Sequence, residues 1–306
     1  MLFRSEALQP FSIDKNKSDK SKMIELHERA SVWRCGAKVF EIDRLHPLIM
    51  GILNVTPDSF SDGGTHNGLE DAVAWAHRMR DEGAHIIDVG GESTRPGFNE
   101  TGVTLEEERR RVIPVVERLV KEGFIVSVDT SKPEIMTEVA SLGAHILNDI
   151  RGFEMPGALE AAAATDCGLV VMHRSATTDY KDVVAEVEAY LQKRQRLLEG
   201  LGVSADRICW DPGFGFGKTV EQNFALLGST ERFVASGQPY LMGLSRKSSI
   251  GAATGHKAPM DRIAGSIAGA LIAVEQGAQV VRVHDCRQTV DAVAVWRASE
   301  EACGRR

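Results

Sequence analysis

The sequence predicts an α/β protein built as a single-domain (β/α)8 TIM barrel. Eight short apolar runs, each bounded by turn-forming residues, are typical of parallel strands that helices cover on both faces. Roughly 19 to 40 residues separate these runs, which is room for one strand, one helix and two loops. Eight such units over about 250 residues match the size of this barrel. A doubly wound open sheet is the alternative, because counting units does not show that the sheet closes.

The predicted strands follow one another at regular intervals and end near Asn54, Val89, Asp129, Asn148, His173, Asp211, Leu244 and His284. Three times a helical segment ends in Gly-Ala and continues directly into an apolar strand, at residues 82–89, 142–149 and 276–283. Glycine supplies the left-handed residue that ends a helix. The repeated unit is therefore a helix followed at once by a strand.

Two helix starts are also marked in the sequence. Thr104 with Glu107, and Ser131 with Glu134, have the spacing of a capping box, in which the first side chain bonds to the backbone of the third helical residue. Both pairs predict helices that begin immediately after the hydroxyl residue.

The chain divides into a tail and a barrel. Residues 1–30 contain the polar, lysine-rich run 14–22 and are predicted to be a flexible N-terminal tail, disordered or carrying a short helix over 23–30. Residues 31–306 are predicted to form the barrel domain.

Composition excludes several classes of protein. The 306 residues include 36 Lys and Arg against 43 Asp and Glu, a net charge of −7 with no clustered basic run, which disfavours nucleic acid as a partner. The five cysteines contain no C-x-x-C pair, so neither a disulfide framework nor a zinc site is expected. The sequence has no signal peptide and no apolar span of 18 residues, which predicts a cytoplasmic protein without a membrane partner.

Each predicted strand has polar residues at its C-terminal side: Asn54, Asp88, Asp129, Asn148, His173, Asp211, Ser245 with Lys247, and Arg282 with His284. In a barrel these carboxyl ends converge on one mouth, where active sites are built. The simpler interpretation, that each residue only caps the next turn, explains a single Asp or Asn. It does not explain the cationic residues that follow the last two strands.

The chemistry of these residues indicates a phosphorylated heterocycle. The carboxylates of Asp129 and Asp211 and the amide of Asn148 can bind the N–H groups of a flat, nitrogen-rich ring. Arg282, Lys247 and His284 suit an anionic group such as phosphate. Asn54 offers a hard oxygen of the kind that binds Mg²⁺ together with water and phosphate oxygens.

Three loops carry further signals. Residues 56–64 and 91–102 are rich in Gly, Pro and polar side chains after a strand, and are interpreted as lids over the site. The run D-P-G-F-G-F-G-K at 211–218 lacks the spacing of a nucleotide P-loop, so its glycines are interpreted as admitting a flat ligand that Phe216 covers. The run S-R-K-S-S at 245–249 is interpreted as a phosphate or carboxylate contact.

Seven of these motifs together resemble the dihydropteroate synthase family over about residues 33–298: M-G-I-L-N-V-T-P-D-S-F-S-D-G-G, G-G-E-S-T-R-P-G, S-V-D-T, L-N-D-I, D-P-G-F-G-F-G-K, S-R-K-S and R-V-H-D. The resemblance implies a transferase that joins p-aminobenzoate to 6-hydroxymethyl-7,8-dihydropterin diphosphate. The products are 7,8-dihydropteroate and pyrophosphate. It also implies Mg²⁺ as cofactor and a homodimer formed near the C-terminal half.

The resemblance assigns roles by position. It implies pterin contacts for Asp129, Asn148, Met172, Asp211, Gly243, Lys247 and Arg282, and p-aminobenzoate contacts for Thr94, Arg95, Pro96, Phe216 and Ser245. It implies diphosphate contacts for Asn54, Arg95, Arg282 and His284, with Asn54 also at Mg²⁺, and catalytic roles for Asp129, Lys247, Arg282 and His284. The expected chemistry is loss of pyrophosphate to a pterin cation, followed by attack of the arylamine.

One segment departs from the family, and two other functions stay open. After the fifth strand the chain reads M-H-R-S-A-T-T-D-Y at 172–180 instead of M-H-M-x-G, which leaves the shape of that loop open. A pterin-binding methyltransferase with a corrinoid partner shares the barrel, but it needs neither the lids nor S-R-K-S. A non-catalytic, pterin-binding paralogue would lack a catalytic position, and here every one is present.

Overall fold

A computed structural model describes residues 31–56, 64–92 and 102–304, and the predicted tail at 1–30 lies outside this range. The chain first forms an antiparallel hairpin of β1 (Ser31–Cys35) and β2 (Lys38–Ile42). Eight parallel strands follow: β3 (Leu48–Asn54), β4 (Ile86–Gly90), β5 (Val126–Asp129), β6 (Ile146–Asp149), β7 (Gly168–Met172), β8 (Ile208–Asp211), β9 (Leu241–Met242) and β10 (Val280–Val283).

The eight strands form a closed ring. From β3 to β7, each strand pairs with the next along the chain, and β10 pairs with both β3 and β9. The last gap, between β8 and β9, is bridged where Trp210 pairs with Tyr240 and the Trp210 N–H donates to the Pro239 carbonyl at 2.8 Å. This bridge confirms the predicted (β/α)8 barrel and rejects the open doubly wound sheet.

Helices surround the ring and alternate with its strands. The described residues contain ten: α1 (Gly64–Asp81), α2 (Leu105–Lys121), α3 (Pro133–Ser141), α4 (Ala158–Ala163), α5 (Val183–Gly200), α6 (Val220–Gly228), α7 (Thr230–Val234), α8 (Ser248–Thr254), α9 (Ile263–Glu275) and α10 (Cys286–Ala302). Short 3-10 turns precede β8 at Ala205–Arg207 and α9 at Pro259–Arg262. Within the described residues, no helix combines the length and apolar character needed to cross a membrane.

The glycines that end the repeated helices behave as predicted. Gly83, Gly143 and Gly277 follow α1, α3 and α9 with φ angles of 98°, 96° and 97°, a left-handed conformation that glycine adopts without strain. The chain therefore turns directly from each helix into the next strand.

One of the two predicted capping boxes is wrong. The Thr104 hydroxyl accepts the Glu107 N–H at 3.2 Å as predicted, but α3 begins at Pro133, with Lys132 at the N-cap and no side-chain cap. Ser131 instead donates its hydroxyl to the buried carboxylate of Asp149. Proline at the first helical position moved the helix start past Ser131, since its fixed φ suits that position.

Two apolar clusters stabilise the barrel. One lies between the strands and the helices, and the other fills the barrel interior with Met50, Ile86, Ile146, Val170, Cys209, Leu241 and Val280. Trp33, Cys35 and Phe40 of the hairpin join the interior cluster. The hairpin, which the sequence did not predict, thus covers the N-terminal end of the barrel and leaves the C-terminal end for a site.

Candidate active site

The C-terminal strand ends bring most of the predicted site residues together. A cavity of about 340 Å³ opens there. Seven predicted residues line it, namely Asn54, Phe216, Gly243, Ser245, Lys247, Arg282 and His284. Four further predicted residues are buried at the strand ends and are not part of the cavity lining: Asp129, Met172 and Asp211 end β5, β7 and β8, and Asn148 is next to last in β6. The predicted convergence of strand ends is therefore seen in the structure.

Arg282 lies between two carboxylates. Its Nε donates to Asp88 Oδ2 at 2.6 Å and its Nη2 donates to Asp129 Oδ2 at 2.9 Å. Asp88 is fully buried and Arg282 is mostly buried. One guanidinium thus compensates two buried negative charges, an arrangement that is costly to break because either carboxylate would be left unpaired.

Asn148 completes this cluster. Its Nδ2 donates to the same Asp88 oxygen at 3.1 Å. Its Oδ1 is buried and has no hydrogen-bond partner among the described residues, and the same holds for Asp88 Oδ1. A buried acceptor without a partner is unfavourable, so Asn148 Oδ1 is an atom that a ligand N–H can satisfy.

Burial dominates the electrostatics of the carboxylates. It raises the pKa of Asp129 to about 8, with Arg282 opposing the rise and Asp88 adding to it. Burial also raises the pKa of Asp211, against the nearby positive charge of Lys247. Both carboxyl groups therefore take up protons more readily than exposed ones, and a ligand that donates N–H groups favours their charged forms.

The loop 211–218 turns sharply at each of its three alternating glycines. Gly213, Gly215 and Gly217 have φ angles of 70°, 86° and 66°. A Cβ at Gly213 would lie 1.7 Å from the His173 carbonyl oxygen, and one at Gly217 would lie 2.0 Å from that of Ser175. Gly213 and Gly217 therefore allow other parts of the protein backbone to pack closely against the loop. Of the three glycines, Gly215 lines the cavity and is the one that a ligand could approach.

Lys218, to which the sequence assigned no role, holds this loop in place. Its Nζ donates to the carbonyls of Gly213 at 2.9 Å and Phe216 at 3.0 Å, and lies 3.0 Å from His173 Nδ1. Burial lowers the pKa of Lys218 to about 7 and that of His173 to about 3. The motif D-P-G-F-G-F-G-K already ended in this lysine, but only the folded loop shows what it binds.

Lys247 contributes a positive charge beside an aromatic ring. Its Nζ donates to the Phe214 carbonyl at 2.5 Å and lies 4.5 Å from the centre of the Phe216 ring. Burial lowers the pKa of Lys247 to about 8, although Asp211 and Asp129 favour its charged form. A flat ligand in this part of the cavity would therefore meet an ammonium group and an aromatic ring together.

His284 and Ser245 form a second polar pair. Ser245 Oγ accepts the His284 backbone N–H at 3.2 Å and lies 3.1 Å from His284 Nδ1. Burial, with the charges of Arg246 and Arg282, lowers the pKa of His284 to about 3. The ring is neutral at pH 7. When the Ser245 hydroxyl donates to Nδ1, the ring proton of His284 lies on Nε2. The Nε2–H group can then serve as a neutral hydrogen-bond donor.

Arg246 lies in the run 245–249 that the sequence analysis interprets as a phosphate or carboxylate contact, and it shapes the rim of the cavity. Its φ of 58° is unusual for a residue other than glycine. The guanidinium binds Asp285 at 3.0 and 2.5 Å, and Arg262 donates to the Arg246 carbonyl at 2.9 Å. Two arginines thus fix the loop that carries Lys247 against the start of α10.

Some predicted features lie elsewhere. Thr94, Arg95 and Pro96, and most of both lids, fall outside the described residues. The loop after β7, whose shape the sequence left open, packs on the glycine loop: Tyr180 Oη donates to the Gly217 carbonyl at 3.2 Å and Gln222 Nε2 to the Thr178 carbonyl at 2.9 Å. The departure from M-H-M-x-G is accommodated by these contacts.

No group of three or more His, Cys, Asp or Glu side chains suited to a metal ion occurs among the described residues. Asn54 is half-buried and lines the cavity beside Arg282 and His284. A single neutral oxygen among cations fits Mg²⁺ only if an anionic ligand supplies other oxygens, which is how proteins commonly bind this ion.

Comparisons with known proteins match this sequence and fold. A family model described as pterin binding enzyme matches residues 50–284. The dihydropteroate synthase of Escherichia coli K12 is 49% identical over 269 residues, which cover 85% of this chain and 94% of that protein.

Two solved structures of Xanthomonas albilineans dihydropteroate synthase are also similar. The structure with 4-aminobenzoic acid has 47% identity and a TM-score of 0.84, covering 89% of this chain and 99% of that chain. The structure with 7,8-dihydropteroate has 46% identity and a TM-score of 0.81, covering 88% of this chain and 98% of that chain.

The barrel, the buried acceptors at its strand ends and the family match together define an enzyme of the pterin-binding class. Within this class, the identity and coverage are decisive. The chain belongs to the dihydropteroate synthase family.

Proposed function

We propose that the cavity at the strand ends is where the chain makes 7,8-dihydropteroate, joining p-aminobenzoate to 6-hydroxymethyl-7,8-dihydropterin diphosphate with release of pyrophosphate. The chain is a transferase of folate biosynthesis. The observation that carries the site assignment is the cluster of Asp88, Asp129, Asn148 and Arg282, which places buried hydrogen-bond acceptors beside a cavity lined with cations.

The pterin ring would lie against the strand ends. Asp129, Asp211 and Asn148 Oδ1 are acceptors for its N–H groups, and the Lys247 ammonium is a donor for its carbonyl oxygen. Met172 is the last residue of β7 and lies two residues after Val170, which belongs to the barrel interior. Gly243 lines the cavity, and a Cβ there would contact Arg282 Cβ at 3.6 Å. These two residues would form the walls of a flat slot.

The diphosphate would lie toward Arg282 and His284. Both line the cavity, one as a cation and the other as a neutral donor. Arg95 is assigned to the same group by its place in the family motif. Asn54 would hold Mg²⁺ together with the phosphate oxygens. Bound there, the ion would supply positive charge that stabilises the leaving pyrophosphate.

The reaction would start with departure of pyrophosphate. Arg282 and His284 would stabilise the negative charge that develops on the leaving group, which is usually the largest contribution to such catalysis. The Asp129 carboxylate, held near the ring, would stabilise the pterin cation that remains. Lys247 would keep the ring in position. Excluding water would then protect the cation until the amine attacks.

The p-aminobenzoate site would lie beside the pterin slot. Phe216 and Ser245 line the cavity there, and the family motif adds Thr94, Arg95 and Pro96. The arylamine is already neutral at pH 7, so the site needs no strong base to activate it. This agrees with the neutral state of His284.

We also propose a homodimer in the cytoplasm, formed through the C-terminal helices. Support comes from apolar side chains that point to solvent there, including Ile272 of α9 and Val295 of α10. Apolar surface of this kind is common where subunits associate. Sedimentation of the purified protein would test the dimer, and Val295→Asp should shift it toward the monomer.

The test of function is pyrophosphate release from the pterin diphosphate with Mg²⁺, measured with and without p-aminobenzoate. Release that depends on p-aminobenzoate and yields dihydropteroate is expected, and Asp129→Ala should abolish it. Tight pterin binding without turnover would instead indicate a binding paralogue. Failure to bind the pterin at all would refute the assignment of the site.

A further inference from the structure

We infer that Asp88 is a positioning and specificity residue, which sets the hydrogen-bonding polarity that the pterin slot presents by holding Asn148 and Arg282 through one carboxylate oxygen. The inference rests on the proposed function. Asp88 is fully buried in the middle of β4 and, unlike Arg282, does not line the cavity, so it would act through its two partners.

The geometry concentrates both contacts on one atom. Asp88 Oδ2 accepts from Arg282 Nε at 2.6 Å and from Asn148 Nδ2 at 3.1 Å. These residues belong to β10 and β6, on opposite sides of β4 in the ring. One carboxylate thus joins Arg282, which lines the cavity, to Asn148, whose buried Oδ1 has no partner among the described residues, although their strands do not adjoin in the sheet.

The hydrogen bond from Asn148 to Asp88 determines which group of the Asn148 amide is presented to a ligand. An amide can present either its N–H groups or its oxygen, depending on a rotation that exchanges them. Because a carboxylate can only accept, Asp88 fixes Nδ2 toward itself and leaves Oδ1 for the slot. Asn148 then requires an N–H on the ligand and disfavours an acceptor at that position.

The bond to Arg282 determines how its charge is shared. With Nε held by Asp88 and Nη2 by Asp129, the guanidinium has one orientation and divides its charge between two carboxylates. Groups facing Asp129 from the surrounding elements are Arg282, Asp88, Asp149, Glu108 and Lys247. Without the negative charge of Asp88, Arg282 would pair with Asp129 only. The pKa of Asp129 would then fall from its value of about 8.

A purely structural ion pair makes a different prediction. It would lower the free energy of unfolding when broken, but it would have no specific reason to change ligand affinity or the titration of Asp129. The experiment must therefore measure binding and pH dependence as well as stability.

The test compares Asp88→Asn with wild type. Affinity for the pterin diphosphate, measured calorimetrically without p-aminobenzoate, is expected to fall on the order of tenfold to a hundredfold, as for loss of hydrogen bonds to a charged group. The rise of kcat/KM with pH, to which deprotonation of Asp129 contributes, is expected to move to lower pH. Wild-type affinity and an unmoved profile in D88N would overturn the inference.

Glu300→Gln is a matched control. Glu300 is another buried carboxylate paired with an arginine, Arg44 at 2.8 Å. Arg44 precedes the start of β3 and Glu300 lies near the end of α10, so this pair is away from the strand ends that carry the site. E300Q is expected to lose stability while keeping the affinity and the pH profile. Equal changes of affinity and profile in E300Q would mean that the D88N effects reflect general destabilisation.

A double-mutant cycle tests whether Asp88 acts through Asn148. If it does, D88N combined with Asn148→Ala should weaken binding less than the sum of the two single changes, whereas independent roles would add. Additivity would contradict the inference.

One further measurement uses the wild-type protein and so does not require that a variant folds. A neutron structure of the wild-type pterin complex shows the amide hydrogens, and they are expected to point from Asn148 to Asp88. The reverse orientation would overturn the inference. Failure of the wild type to bind pterin diphosphate would instead refute the proposed function itself, which separates the two outcomes.

Discussion

The two ends of the barrel are made by the same eight strands but carry opposite kinds of side chain. At the N-terminal end, Trp33 and Phe40 of the hairpin join an apolar cluster of barrel residues. At the C-terminal end, Arg282, Asp88 and Asp129 form a buried ionic cluster beside the cavity. Every second residue of a strand faces the barrel interior. Moving two residues along each strand is therefore enough to replace the packed core by a binding site.

The two ends of the barrel separate stability from function. Each end contains a buried arginine. Arg207 at the N-terminal end donates to the carbonyls of Thr165 at 2.6 Å and Cys167 at 2.9 Å, which tie loops together. Arg282 at the other end binds carboxylates that a ligand can share. We expect the first arginine to serve folding and the second to serve catalysis as well.

The largest effect is expected from exchanging each arginine for methionine. Arg282→Met leaves Asp88 and Asp129 without a cation, so unfolding should become easier by about 3–5 kcal/mol. Pyrophosphate release should fall on the order of 10³-fold, since the leaving group loses its charge partner. Arg207→Met should cost stability only. Urea unfolding and the release assay distinguish the two, and equal loss of activity in both variants would contradict the separation of the ends.

The next largest effect is expected at the sealed end. Trp33 is fully buried, and its indole Nε1 donates to the Arg207 carbonyl at 3.0 Å. Trp33→Ala should lower the free energy of unfolding by about 3–5 kcal/mol, because it leaves a large cavity. Val32→Ala, on the same strand but facing solvent, should change it by less than about 0.5 kcal/mol. A higher KM for the pterin diphosphate in W33A, measured at a low temperature where the variant is folded, would show that the hairpin also shapes the site.

Much of the fold followed from the sequence because its signals are local. The apolar runs and the glycines at 83, 143 and 277 depend only on neighbouring residues, and they placed the strands within about two residues of their ends. The hairpin was missed because its strands are short and pair only with each other.

The site was predicted less completely because its contacts are not local. Asp88 was identified as a polar strand end, but its partner Arg282 is 194 positions away, and no local pattern shows that they touch. Lys218 was in a quoted motif, yet its binding of three loop atoms appears only after the glycines turn the chain. Ser131 misled for the same reason, since Asp149 lies on the neighbouring strand.

A smaller effect is expected from Lys218. Lys218→Met removes the group that binds the Gly213 and Phe216 carbonyls, so the loop that carries Asp211 and Phe216 should become less ordered. The KM for the pterin diphosphate should rise about tenfold, as for loss of a hydrogen-bonded positioning group, with a smaller change in kcat. Lys193→Met, an exposed lysine on α5, is the control. Unchanged kinetics in K218M would show that the glycines alone fix the loop.

The smallest effect concerns two histidines at the N-terminal end. His85 Nδ1 accepts the Ile49 N–H at 3.0 Å and His145 Nδ1 accepts the Val126 N–H at 3.3 Å, so both rings are needed in the neutral form. Partial burial lowers the pKa of both below 6.5, with the charge of Lys38 adding to the shift at His145. The unfolded chain therefore binds protons more readily, and this stability is complete above pH 6.5 and is lost as pH falls through the folded values.

Urea unfolding at pH 7.5 and pH 5.5 measures this loss, which should not exceed about 1 kcal/mol for each hydrogen bond because the rings are partly exposed. The double change of His85 and His145 to Gln keeps a side-chain oxygen able to accept the N–H but removes the titration. Its difference in stability between the two pH values should be smaller than that of the wild type. An equal difference would place the acid sensitivity at other groups, such as His173 and His284 of the site end, whose pKa values burial also lowers.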